Sequence, residues 1–187
     1  MRGALPLVLF LSLASSGALA AEWIDLATTA SPSLEDSLRT PAMKDCELRE
    51  ERSLRRPDGK RVVRYRQYYR SVPVYGETVV VDDGVPSGRL LSGIDHDLPA
   101  VTPRLDGDAA LARARENDGG KPARNAKSEL FVYLDGSRAH LVYQVSYLII
   151  SGADKPSRPF VLVDANSGTV LKRWEGLATA PDRGIIP

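Results

Sequence analysis

The sequence runs to 187 residues, with 25 Lys plus Arg against 24 Asp plus Glu and a formal charge of +1. That balance excludes electrostatic capture of nucleic acid or an anionic membrane as the main source of affinity. A chain 43% hydrophobic and 26% charged can bury a core, while 2 His and 1 Cys leave little for metal chemistry or a disulfide framework. At the start, Met1-Arg2 supplies a positive charge, Ala4 to Leu13 an apolar run and Ala18-Leu19-Ala20 a small-x-small exit. This layout predicts a signal peptide over residues 1–20, cleaved after Ala20, and a secreted or periplasmic mature chain. A membrane anchor needs about twenty unbroken apolar residues, and Ser12, Ser15, Ser16 and Gly17 interrupt this run early. No membrane association is expected after cleavage.

Residues 21–44 open with Trp23-Ile24-Asp25-Leu26 and continue Ser/Thr/Pro-rich, which reads as a short docking segment and a loosely ordered connector. Cys46 is a lone thiol, taken as a small buried apolar side chain rather than a reactive one. From there the pattern turns to strands. Val63, Tyr65, Gln67 and Tyr69 share one face of a strand that follows the turn Pro57-Asp58-Gly59. Thr78-Val79-Val80-Val81 ends at Asp82-Asp83-Gly84, and Arg89 to Ile94 is placed to pair back across that turn. Pro99 to Pro103 marks a boundary. Asp106 stands at an N-cap position ahead of Ala109 to Arg115, and Gly119-Gly120 stops the helix. Four strands are predicted next: Glu129–Leu134, Ala139–Ile150, Pro159–Asp164 and Thr169–Trp174. Asp135-Gly136 and Asn166-Ser167-Gly168 supply two of the turns, and Gly152 to Ser157 is polar and expected to be exposed. The expected class is α+β: two small modules, each an antiparallel sheet, the second with one helix packed on a four-stranded meander. Trp174 and Tyr147 are expected in its core.

Catalytic signals are weak. His96 and His140 fall in different modules, so neither supplies the paired histidines of a zinc hydrolase helix. Asp95-His96-Asp97 is the one dense titratable cluster, read as a solvated turn rather than a metal or acid–base site. Tyr65, Tyr68, Tyr69 and Tyr75 at strand spacing read as half-buried sheet residues rather than a stacking platform. No enzyme activity, metal or cofactor is expected.

The run Arg64-Tyr65-x-Gln67-x-Tyr69-x-x-Val72-Pro73-Val74-Tyr75-Gly76-Glu77 closely resembles the first module of thermolysin-family metalloprotease propeptides, the FTP module. Glycine is common just before V-P-V in that family, and Ser71 stands there here. Leu141 to Leu148, Ser157 to Gly168 and Trp174-Glu175-Gly176-Leu177 resemble the PepSY module that follows it. The last series is most similar to the pro-regions of pseudolysin and vibriolysin, and Trp23-Ile24-Asp25-Leu26 fits their opening. The resemblance assigns 45–98 to the FTP-like module, 104–176 to the PepSY-like module and 177–187 to a C-terminal tail.

Such propeptides are implied to fold first, template the folding of their protease and remain bound as inhibitors. In their precursors the segment after W-E-G-L leads into the catalytic domain, whereas here Pro181 to Pro187 end the sequence and no H-E-x-x-H occurs. The expectation is a standalone inhibitor of a separate thermolysin-like zinc metalloprotease that also assists its folding. The alternatives are a chaperone in trans with little inhibition, a truncated precursor remnant, or a module binding a small ligand. By the same resemblance the tail would lie across the catalytic cleft as a strand. The candidate partner-binding residues are Trp174, Glu175, Gly176, Leu177, Ala178, Ile185, Ile186 and Pro187. Ile185 or Ile186 would suit an apolar pocket, against the alternative of a frayed terminus. Pro187 would hinder productive seating, since it lacks an N–H and has a fixed φ.

Overall fold

A computed structural model describes residues 20–27, 34–150 and 155–177. The predicted signal peptide, Ala20 apart, lies outside them. The chain is α+β, two antiparallel sheets with short helices. No helix among the described residues is long and apolar enough to cross a membrane.

The first sheet is built from β1 (Glu22–Asp25), β2 (Cys46–Arg55), β3 (Arg61–Tyr69), β4 (Val72–Pro73), β5 (Val79–Asp82) and β6 (Val85–Ser92). Their order is β1-β6-β5-β3-β2, with β4 beside β3. β3 alternates as its pattern predicts: Val63, Gln67 and Tyr69 are buried on one face, while Arg64 on the other stays in water. The opening segment docks as a strand, Trp23 opposite Leu91 on β6. Residues expected to be loosely ordered contain α1 (Leu34–Leu38) and a 3-10 turn, Pro41–Met43. Leu34 and Leu38, four apart, lie on one helix face with Met43 and close the core over Val79 and Leu90.

α2 (Ile94–Asp97) is one helical turn where a solvated turn is expected. Burial of Ile94 pulls it inward. α3 (Gly107–Arg115) begins where Asp106 accepts the Ala109 N–H at 2.8 Å. It ends before Gly119-Gly120, because the Tyr147 hydroxyl and Arg173 Nη1 donate to the Ala114 carbonyl at 3.1 and 2.8 Å. The second sheet comprises β7 (Ala123–Asp135), β8 (Arg138–Ile149), β9 (Pro159–Asp164) and β10 (Val170–Glu175), in the order β10-β9-β8-β7. β7 starts six residues earlier than its polar sequence suggests, because Ala123 and Arg124 find partners in Ile149 and Leu148 on β8. A bulge at Asn125, with φ at 50°, absorbs the misfit.

One face of the second sheet is divided between two neighbours. α3 covers Val145, Tyr147, Val161 and Val163 through Ala110 and Ala114, whose small side chains allow close approach. The first sheet covers the other part, where Tyr69, Val72, Val74, Leu91, Ile94 and Leu98 share one core with Val132, Ala139, Leu141 and Ala165. Backbone contacts fix this joint. The Tyr75 N–H donates to the Val132 carbonyl at 2.8 Å, and Asp97 accepts the Ala139 N–H at 2.8 Å. Arg104 and Leu105 both donate to the Ala165 carbonyl, so the connecting segment is itself packed down. The two sheets are docked on a common core.

Candidate partner-binding site

The face of the second sheet turned away from α3 carries the candidate residues. Alternation along β7, β8 and β9 places Phe131, Val142 and Leu162 there, with Tyr75, Tyr133, Leu171 and Trp174 against them. Tyr75 arrives from the first sheet. Val74 bridges to Val132 along the β7 edge, so strand alternation sends Val74 into the shared core and Tyr75 onto this outer face. Its ring meets Phe131 edge-on at 5.5 Å and Tyr133 at 5.8 Å. Trp174 stacks on Phe160 at 5.6 Å with the rings 14° apart, and Lys172 lies over the indole. Tyr147 is fully buried, as expected of a core residue. Trp174 is half-buried, on β10 at the edge of the sheet, where no described strand pairs beyond it. Val170, at the start of β10, and Leu177, two residues past its end, are exposed.

Beyond Trp174 the chain is held by its own side chains. Glu175 Oε1 accepts the N–H groups of Arg158 and Leu177 at 2.7 and 2.8 Å, and Oε2 accepts the Ser157 hydroxyl at 2.6 Å. Desolvation pushes this carboxyl up, but the Ser157 hydroxyl and the N–H groups of Leu177, Arg158 and Gly176 outweigh it and hold the group below its usual range. On the inner face, Arg173 ties β10 to the end of α3, with Nη2 on Asp118 Oδ1 at 2.6 Å. The structure thus brings Trp174, Glu175, Gly176 and Leu177 together at one sheet corner. Ala178, Ile185, Ile186 and Pro187 lie outside the described residues.

The other candidates separate cleanly. Burial pushes the Cys46 thiol up to about 11, with Asp95 and Asp45 adding to the shift against a bond from Gln67, so the thiol is neutral. His96 faces solvent beside Asp95, and Asp97 is occupied by Ala139. His140 lies on β8 and pairs with Asp164 at 2.9 Å. Among the described residues no group of three His, Cys, Asp or Glu side chains could hold a metal ion. Phe160, Phe131, Tyr133, Ser157 and Arg158, which border this corner, were read as strand or module residues and not as partner-site candidates. The period-2 pattern of β9 did mark Phe160 as opposite Val161, but not which face stays open.

Comparison with known proteins bears on the same two sheets. The family described as Fungalysin/Thermolysin Propeptide Motif matches residues 47–84, and the one described as Peptidase propeptide and YPEB domain matches 104–174. The chain belongs to the thermolysin-family propeptides. The propeptide is 37% identical to the hemagglutinin/proteinase of Vibrio cholerae over 143 residues, 70% of this chain and 23% of that protein. It is 35% identical to the neutral protease of Vibrio proteolyticus over 144 residues, 70% of this chain and 23% of that one. Thermolysin of Alicyclobacillus acidocaldarius is 28% identical over 146 residues, 69% of this chain and 26% of its own length. The chain therefore spans about a quarter of these relatives. Among solved structures, the YpeB C-terminal domain of Bacillus megaterium aligns with a TM-score of 0.34 at 17% identity, over 75% of this chain and 61% of that one. The FTP match takes in β2 to β5 with Gln67 and the V-P-V element, and the PepSY match takes in α3 and ends at Trp174.

Proposed function

We propose that this propeptide is an exported, non-catalytic protein that binds and inhibits a thermolysin-like zinc metalloprotease on a separate chain and assists its folding. The observation that carries this reading is the matched pair of modules in propeptide order, docked on one core. A partner in trans has no tether to raise its effective concentration, so the surface must supply its own affinity. A prebuilt double sheet lowers the ordering cost of that encounter. The half-buried Trp174 and the tyrosines beside it are residue types that dominate protein interfaces.

The test uses the chain without residues 1–20, titrated into a purified thermolysin-family protease. Dose-dependent loss of peptidase activity is the expected outcome. No loss at micromolar concentrations, with no gain in refolding yield of denatured protease, would overturn the proposal. A gain in refolding yield without inhibition would instead favour the chaperone reading.

A further inference from the structure

The first sheet carries an unbalanced pair of charges on the face turned away from its core. Alternation along β3 puts Val63 inside and Val62 and Arg64 outside. Strand register sets Arg52 of β2 directly opposite Arg64, and Leu54 directly opposite Val62. Like charges facing each other across two strands destabilise a sheet. The arginines around this pair have carboxylates: Arg49 meets Glu47, Arg66 meets Glu51 and Arg56 meets Asp82. Among the described residues Arg52 and Arg64 have no carboxylate, no hydrogen-bond acceptor and no aromatic ring against their guanidinium groups. Both are exposed. Together with Leu54, Val62 and Val80 they line a groove of about 400 Å³. Leu54 is 50% exposed there, an apolar side chain beside two uncompensated cations.

We propose that this groove on the first sheet is a docking surface for the protease, taking a part of its surface where a carboxylate stands beside an apolar side chain. The carboxylate bridges Arg52 and Arg64, and the apolar side chain covers Leu54 and Val62. Charge complementarity selects this occupant. Two guanidinium groups held on adjacent strands form charge-assisted bonds to an anion placed between them, and the same anion removes their mutual repulsion. A neutral apolar partner would cover Leu54 and leave that repulsion in place. The inference rests on the inhibitory reading above and assigns the first module its own part in binding.

The experiment measures inhibition of a purified thermolysin-family protease, and the melting temperature, for the chain without residues 1–20. Four forms are compared: wild type, the double variant Arg52→Gln with Arg64→Gln, Leu54→Ser and Arg55→Gln. Arg55 is the control, an exposed arginine that alternation places on the opposite face of β2. The double variant is expected to inhibit about tenfold less well, yet to melt about 1–3 °C higher because the repulsion is gone. Its inhibition should depend less on salt than that of the wild type. Leu54→Ser is expected to inhibit about fivefold less well, and Arg55→Gln to inhibit as the wild type does. Equal inhibition by the wild type and the double variant overturns the proposal. So does an equal loss in Arg55→Gln, which would make the effect one of net charge, or a double variant that melts lower, which would mean that the pair is satisfied in the free chain. A wild-type dimer that the double variant turns into a monomer assigns the groove to a second copy of this chain and also overturns it. A wild-type chain that neither inhibits nor aids refolding defeats the function proposed above and this surface with it. Normal wild-type inhibition that the double variant retains defeats the surface alone.

Discussion

Gln67 does a strand's work with a side chain. β5 pairs with β3 only as far as Tyr65, and beyond that point the Gln67 amide takes over. Its Nε2 donates to the Leu91 carbonyl at 2.7 Å and its Oε1 accepts the Leu91 N–H at 2.8 Å. Gln67→Leu fills the space but strands both backbone groups in a buried site, an expected loss of about 2–5 kcal/mol. The urea midpoint of unfolding checks it. A second residue points the other way. Ser71 holds a φ of 68° next to Arg70 at 45°, in the turn where related propeptides commonly have glycine. The left-handed conformation costs a residue with a Cβ roughly 1–2 kcal/mol. Ser71→Gly gives up one exposed bond to Arg49 and is expected to stabilise by about 1 kcal/mol, raising the melting temperature by about 2–4 °C. A lower melting temperature would mean the strain is absent.

At the scale of elements, the turns beside β9 and β10 are held by two carboxylates, the buried Asp164 and the exposed Glu175. Asp164 Oδ1 accepts the N–H groups of Asn166 and Ser167, and Oδ2 meets His140 Nδ1. Desolvation raises Asp164, but the Ser167 N–H, His140, the Asn166 N–H and the Ser167 hydroxyl together hold it below its usual range, as Glu175 is held. With both folded values depressed, the unfolded chain binds more protons in the window between them and the ordinary range. Their contribution to stability is complete above about pH 4 and disappears as pH falls through the folded values. Melting temperatures measured from pH 7 down to pH 2 should fall steeply below about pH 4. Asp164→Asn should fall less over that window, and an equally steep fall would remove Asp164 from the cause. The turn Asn166-Ser167-Gly168 was legible in the sequence; the carboxylate that organises it was not, since its partner His140 sits 24 positions earlier on the neighbouring strand β8.

The whole molecule behaves as one unit if its core does. Tyr69, Val74 and Leu91 from the first sheet pack in the same cluster as Val132, Leu141 and Ala165 from the second. The 2 tryptophans happen to report on the two halves, Trp23 on β1 and Trp174 on β10. Trp23→Phe and Trp174→Phe variants, unfolded in urea and followed by fluorescence, are expected to give superimposable transitions. Leu141→Ala, expected to cost about 2–5 kcal/mol, should shift both together. Separate midpoints for the two probes would mean that each module stands alone.

Read alone, the residues determined the strands, the capped helix and the propeptide resemblance, because periodicity, caps and turn residues act over a few neighbours. They also marked W-E-G-L as important. They could not tell how the V-P-V-Y run is spent: its alternation is plain, but that Val74 joins a core and Tyr75 an open face depends on the β7 edge lying beside it. Nor could they show where the Glu175 carboxylate is spent, since its partners Ser157 and Arg158 lie 18 and 17 positions away. Tertiary structure decided both, because a side chain's role is set by what the fold places against it, and strand pairing brings together residues with no mark on one another in the chain.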